Sequence, residues 1–147
     1  MTGDDAPDAA HACPACSGRW PASEDRIAEL SEGTVYLHAN QFFPGWSVLV
    51  LRRHATELFE LERDERARLI EDVSDVALAL KQAFDARKVN YALFGNLVPH
   101  IHWHLIPRLA DDPAPRESVF AVPHEPVQLR WVDRADRIAR IRSRLRR

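Results

Sequence analysis

The segment His100-Ile101-His102-Trp103-His104-Leu105-Ile106-Pro107-Arg108 constrains this chain more than any other stretch. Side chains alternate across a β-strand, so His100, His102 and His104 share one face while Ile101, Trp103 and Leu105 point to the other. The apolar face must bury against a second layer, and the histidine face is left to line a site. Same-face neighbours lie about 6.6 Å apart along a strand, which makes the three imidazoles a row rather than a cage around one ion. A neutral imidazole is a competent nucleophile and acid–base group near pH 7. His-x-His on a strand is also a common ligand arrangement, so a catalytic metal is the rival reading of the same residues.

The rest of the chain supplies the second layer. Runs rich in Val, Leu, Ile and aromatics predict strands over residues 34–38, 46–52, 89–94 and 100–106. Leu69, Val73, Val76, Leu80 and Phe84 recur at steps of three and four, with Ile70 and Ala77 widening the stripe, and predict a helix over residues 64–84. A second helix is expected from about residue 133 to the end, with Ile138, Ile141 and Leu145 on one side and arginines on the other. Strands interrupted by one long helix, without regular βαβ alternation, predict an α+β fold with a largely antiparallel sheet. Residues 1–10 read as a disordered tail, residues 11–147 as a single domain, and the Pro113- and Pro115-containing stretch 111–116 as a loop.

Charge and hydropathy narrow the partners. Twenty Lys and Arg against twenty-two Asp and Glu give a net charge of -2, so no global positive field gathers nucleic acid or an anionic membrane. The longest apolar runs, residues 48–51 and 76–80, fall far short of the roughly 20 residues a membrane helix needs. Residues 1–10 carry three Asp and no apolar core of a secretory signal, so the expected compartment is the cytoplasm. Residues 130–147 hold eight Arg and two Asp, read as a solvated amphipathic helix in preference to an anion- or nucleic-acid-binding arm. Trp20, Trp46, Trp103 and Trp131 have the rings to stack a base, although tryptophan is more commonly core or interface.

In a reducing compartment the two cysteines, in Cys13-Pro14-Ala15-Cys16, favour metal binding or redox chemistry over a structural disulfide. Their two-residue gap is that of a zinc half-site, which needs two more ligands. His11 as a ligand, a redox pair and two unbound thiols are the alternatives. A thioredoxin-like role lacks its βαβ context.

Residues 100–106 resemble the His-φ-His-φ-His-φ-φ motif of the histidine triad family of nucleotide hydrolases and transferases. The likeness extends to Asn40-Gln41-Phe42-Phe43-Pro44-Gly45-Trp46-Ser47-Val48-Leu49-Val50, to Arg52-Arg53-His54, to Asn90 and Gly95-Asn96, and through Pro107-Arg108. The resemblance implies that His102 attacks the α-phosphorus of a nucleotide conjugate and forms a nucleotidyl-histidine that water or another acceptor resolves. His104 would then help polarise the phosphoryl oxygens or leaving group. Asn40 falls where the family contacts the nucleoside, Asn90 and Asn96 near phosphate-binding positions, and Trp46 beside the site, where many members have a further histidine. Asn96 stands in place of the usual Gln, and His38 where Asp is common. The resemblance also implies a structural zinc held by Cys13, Cys16, His54 and His100, and a homodimer. A non-catalytic nucleotide- or zinc-binding module of the same fold is the alternative function.

Overall fold

The computed structural model describes residues 12–145. The tail expected over residues 1–10 lies outside them. Five strands, β1 (Arg26–Glu29), β2 (Gly33–Leu37), β3 (Ser47–Leu51), β4 (Lys88–Leu93) and β5 (His102–Arg108), form one antiparallel sheet in the order β1-β2-β3-β5-β4. Two helices, α1 (Arg63–Phe84) and α2 (Trp131–Arg142), complete it. The α+β class expected from the sequence is the one observed.

Register decides what each face of the sheet carries. Opposite β5, Val50 pairs with His102 and Val48 with His104, while Leu49 pairs with Trp103 and Ser47 with Leu105. Directly opposed residues project to the same side, so Leu49, Trp103 and Leu105 fall on one face and the histidines on the other. The apolar face takes α1: Leu69, Val73, Val76, Leu80 and Ala83 join Val35, Leu37, Leu49, Leu51 and Leu105 in one buried cluster. Ile138 and Ile141 of α2 enter the same cluster. Side chains of α2 also tie it to β1, through Arg142 Nε donating to the Ile27 carbonyl at 2.7 Å, and to the β2–β3 connection, through Arg137 Nη1 donating to Gln41 Oε1 at 2.9 Å. The arginine-rich C-terminal stretch is thus an amphipathic helix docked on the fold.

Several boundaries differ from expectation. Ile70 is exposed, because one residue beyond Leu69 is about 100° further round a helix and leaves the buried stripe. Strand β1 escaped notice: at four residues, with charged ends and two successive buried positions, it has no period-two pattern. Helix α2 begins at Trp131 and stops at Arg142, short of the chain end. Strand β5 begins at His102, not His100, because the chain upstream bends out of the ladder: the Ile101 amide donates to the Ala55 carbonyl and the His100 amide to the Val98 carbonyl, each at 2.8 Å.

Two devices fix the loops near the histidines. Gly45 turns the chain into β3 at φ +88°, and a Cβ there would lie 2.6 Å from Phe84 and 2.8 Å from Pro107, so only glycine fits. Asp72, buried in α1, accepts the backbone amides of Ser31, Glu32 and Gly33 and closes the β1–β2 turn. Among the described residues no helix is long and apolar enough to cross a membrane.

Candidate functional site

His102 opens the site. Its ring Nδ1 lies 2.7 Å from the His100 carbonyl oxygen, which can only accept, so Nδ1 carries a hydrogen, and in the neutral ring Nε2 is the nitrogen with the lone pair. The next residue on that face, His104, places its ring 5.2 Å away at 73°. Both line a cavity of about 350 Å³, with Trp20, His38, Asn96 and Phe120 among its walls. Trp20 meets the His102 ring edge-on at 4.9 Å, and Phe120 meets His104 at 5.2 Å. Burial pushes the His104 pKa down to about 3, assisted by the neighbouring His102 and His38. Burial likewise lowers His38, against the opposing hydrogen bond to the Asn40 backbone. His38 and His104, held uncharged, bring no positive charge of their own to a ligand in this cavity.

Of the residues singled out in the sequence, His102, His104 and Asn96 meet at this cavity. Trp46 is buried behind it, with its indole Nε1 3.1 Å from His104 Nδ1 and its ring stacked on His38 at 4.2 Å and 6°. Asn40 is drawn into a clasp: its Oδ1 accepts the amides of Phe42 and Val127, each at 3.0 Å, and its Nδ2 lies 2.9 Å from His124 Nε2. Asn90 Oδ1 accepts from Arg108 Nη1 at 2.7 Å, and Asn90 lines a different concavity of about 440 Å³ beyond Phe94 and Phe120. That larger hollow is lined by no imidazole, so the smaller one is the candidate site. Asn40 and Asn90 thus do not line the same cavity as His102.

Sequence reasoning named Trp20 only as a ring able to stack a base and His38 only as a position where Asp is common, and it did not single out Phe120; all three line this cavity. His38 was legible in principle. Tyr36 pairs with Val48 and Val48 with His104, so the residue two beyond Tyr36 continues along the histidine face. Phe120 arrives from a distant loop held by Arg108. The Arg108 guanidinium, 4% exposed, is paired with Asp112 at 2.5 Å and also donates to the carbonyls of Ala114 and Glu117. Arg108 holds the Asp112 carboxyl below its ordinary pKa.

A second cluster lies directly upstream of His102. Cys13 Sγ, Cys16 Sγ, His54 Nδ1 and His100 Nδ1 all lie within 4.8 Å of one another and could hold a metal ion. Individual separations are 3.4 Å from Cys13 Sγ and 3.5 Å from Cys16 Sγ to His100 Nδ1, 3.3 Å from Cys16 Sγ to His54 Nδ1, and 3.3 Å between the two Nδ1 atoms. A tetrahedral ion at ordinary M–N and M–S bond lengths sets N–N edges of about 3.3 Å and S–N edges of about 3.6 Å. The donor set therefore fits a four-coordinate ion. His100 Nε2 points to the Leu51 carbonyl at 2.5 Å, so its hydrogen sits there and Nδ1 is bare for ligation. All four residues expected as ligands are together, and His100 is withdrawn from the histidine row. The three histidines do not converge on a common centre.

The chain is similar to proteins of one family. A family model described as the HIT domain matches residues 22–111. A histidine triad protein of Bradyrhizobium japonicum is 32% identical, with a TM-score of 0.75 over 84% of this chain and 92% of its own. A zinc-bound histidine triad family protein of Mycobacterium smegmatis is 23% identical, with a TM-score of 0.67 over 92% of this chain and 94% of that one. A diadenosine triphosphate hydrolase of Plasmodium falciparum shares the fold at 14% identity and a TM-score of 0.64, over 84% of this chain and 77% of its own. No curated protein matches the chain at a significant level. A paired His102 and His104 over one cavity, on a five-stranded antiparallel sheet matched by the HIT model, place this chain in the histidine triad family.

Proposed function

We propose that this chain hydrolyses or transfers the nucleotidyl group of a nucleotide conjugate through a covalent intermediate on His102. The observation that carries the reading is the His102 ring: Nδ1–H is tied to the His100 carbonyl, and the ring lines a cavity large enough for a nucleotide's phosphate end. In the first step Nε2 donates its lone pair to the α-phosphorus, forming an N–P bond as the bond to the leaving group breaks and its electron pair departs with that group. The leaving group takes its proton from solvent. In the second step water attacks the same phosphorus and gives up a proton to solvent, replacing the one the leaving group took, the N–P bond breaks, and the nucleoside monophosphate leaves with His102 restored; the sum is one conjugate and one water consumed. His104 contributes hydrogen bonding to phosphoryl oxygens or the leaving group, and Asn96 a donor at the cavity edge.

Asn40, Asn90 and Trp46 support this centre through the loops and rings they hold. Cys13, Cys16, His54 and His100 would hold zinc, which in such a closed N₂S₂ site supplies structural crosslinking. Those four residues anchor the segment leading to Trp20 and fix the backbone carbonyl that orients His102. The working form is a cytoplasmic homodimer of single-domain chains, with the edge strand β4, its exposed Tyr91 and the exposed Phe94 just beyond it as the face left to cover.

The test is a substrate panel of adenosine phosphoramidate and dinucleoside polyphosphates, run on wild type and His102→Ala. Turnover by wild type, lost in the variant, is the expected result. Equal turnover by both ends the reading. Nucleotide binding without turnover or a trapped adduct would instead identify a binding module of the same fold.

A further inference from the structure

The hydrogen bond between Trp46 and His104 has only one possible sense. An indole nitrogen donates and cannot accept, so at 3.1 Å from Trp46 Nε1 the His104 Nδ1 must be the bare nitrogen. A neutral ring with a bare Nδ1 carries its hydrogen on Nε2. We infer that Trp46 is a positioning residue that locks His104 in the Nε2–H tautomer, so that it meets a phosphoryl group at His102 as a fixed hydrogen-bond donor. The role given to His104 rests on the proposed nucleotidyl transfer; the tautomer does not.

The indole is not free to turn away. Trp46 is 4% exposed, lies flat on His38, and meets Phe120 edge-on at 5.5 Å. Phe43, Ile106 and Val119 pack with it in one buried cluster. The rings against His104 are those of His38, His102, Trp46 and Phe120. Burial among them keeps His104 uncharged at neutral pH, so the tautomer is the only choice left to the ring.

The consequence is a division of labour between adjacent imidazoles. His102 gives its Nδ1 hydrogen to a backbone carbonyl and keeps a lone pair on Nε2. His104 receives the indole hydrogen on Nδ1 and keeps a hydrogen on Nε2. One ring offers the pair that attacks phosphorus, and the other offers the donor that the phosphoryl oxygens or leaving group require. The reverse tautomer of His104 would present a second lone pair to an anion and repel it.

The test is long-range ¹H–¹⁵N NMR of the histidine rings, with His104 assigned by the signals lost in His104→Gln. In the wild-type protein Nδ1 of His104 should report a bare nitrogen and Nε2 a protonated one. In Trp46→Phe, which preserves the stack on His38 and deletes the N–H, the ring should redistribute toward the Nδ1–H form. The kcat on adenosine phosphoramidate should then fall roughly tenfold at nearly constant KM, the scale of one neutral hydrogen bond. Trp46→His, which restores a ring N–H, should recover part of the loss. A wild-type His104 with its hydrogen on Nδ1, or a Trp46→Phe spectrum identical to wild type, would overturn the assignment. Should Trp46→Phe not fold, the wild-type spectrum alone decides. Absence of turnover on every conjugate would defeat the proposed reaction while leaving the tautomer measurement to judge Trp46.

Discussion

His100 and His102 stand two residues apart and put the same ring to opposite uses. Each is tethered by one nitrogen to a backbone carbonyl, but not by the same nitrogen. In His100 the distal Nε2 is tied to Leu51, so the free Nδ1 sits close to the main chain, enclosed by Cys13, Cys16 and His54. In His102 the proximal Nδ1 is tied to the His100 carbonyl, so the free Nε2 is the far tip of the ring at the cavity. The choice of tethered nitrogen separates a candidate ligand from a candidate nucleophile. His100 joins the two regions, since its ring belongs to the Cys/His cluster and its carbonyl orients His102.

The largest effect that sharpens this contrast belongs to His102. Its replacement by Ala should lower turnover by roughly a thousandfold or more, with metal content and urea midpoint retained. Cys13→Ser should do the converse. It should abolish the zinc binding proposed for the cluster, measured by elemental analysis, and lower unfolding stability by about 3 kcal/mol or more, measured by urea denaturation. Full zinc content in that variant would break the comparison.

A comparable but metal-independent loss is expected at Arg108. Asp112→Ala strands its buried guanidinium and should cost about 3 kcal/mol in the same denaturation experiment, with zinc unchanged. The smallest effect is an acid slope. The folded pKa values of His38 and His104 lie below that of the free imidazole, so on acidification the unfolded chain takes up protons that the folded chain refuses. Stability from this source is whole above pH 6.5 and drains away as pH falls toward about 3 for His104. His104→Gln should flatten that slope in denaturation curves at successive pH values; an unchanged slope would count against neutral burial of His104.

The chain revealed its elements wherever a single period ruled. Helix α1 followed the stripe from Leu69 to Phe84, and β5 followed the alternation of its histidines with Trp103 and Leu105. The missing β1 had two adjacent buried residues, Ile27 and Ala28, and local pattern does not reach such strands. The grouping of Cys13, Cys16, His54 and His100 was foreseen from family resemblance alone, because the distance from Cys16 to His54 and His100 closes only in the folded chain. Asn40 and Asn90 illustrate the remaining gap. Whether an amide faces a ligand or ties a loop depends on partners far along the chain, here Val127 and Arg108. Phe120 likewise reaches the cavity through the Arg108 and Asp112 anchor, which no spacing near the histidines announces.

Rapid quenching of the reaction with adenosine phosphoramidate, followed by peptide mass spectrometry, tests the central claim most directly. The account predicts a nucleotidyl adduct on the peptide containing His102, formed and consumed at the rate of turnover and absent from His102→Ala. Product released with no adduct on that peptide, or an adduct that persists in the variant, would contradict it.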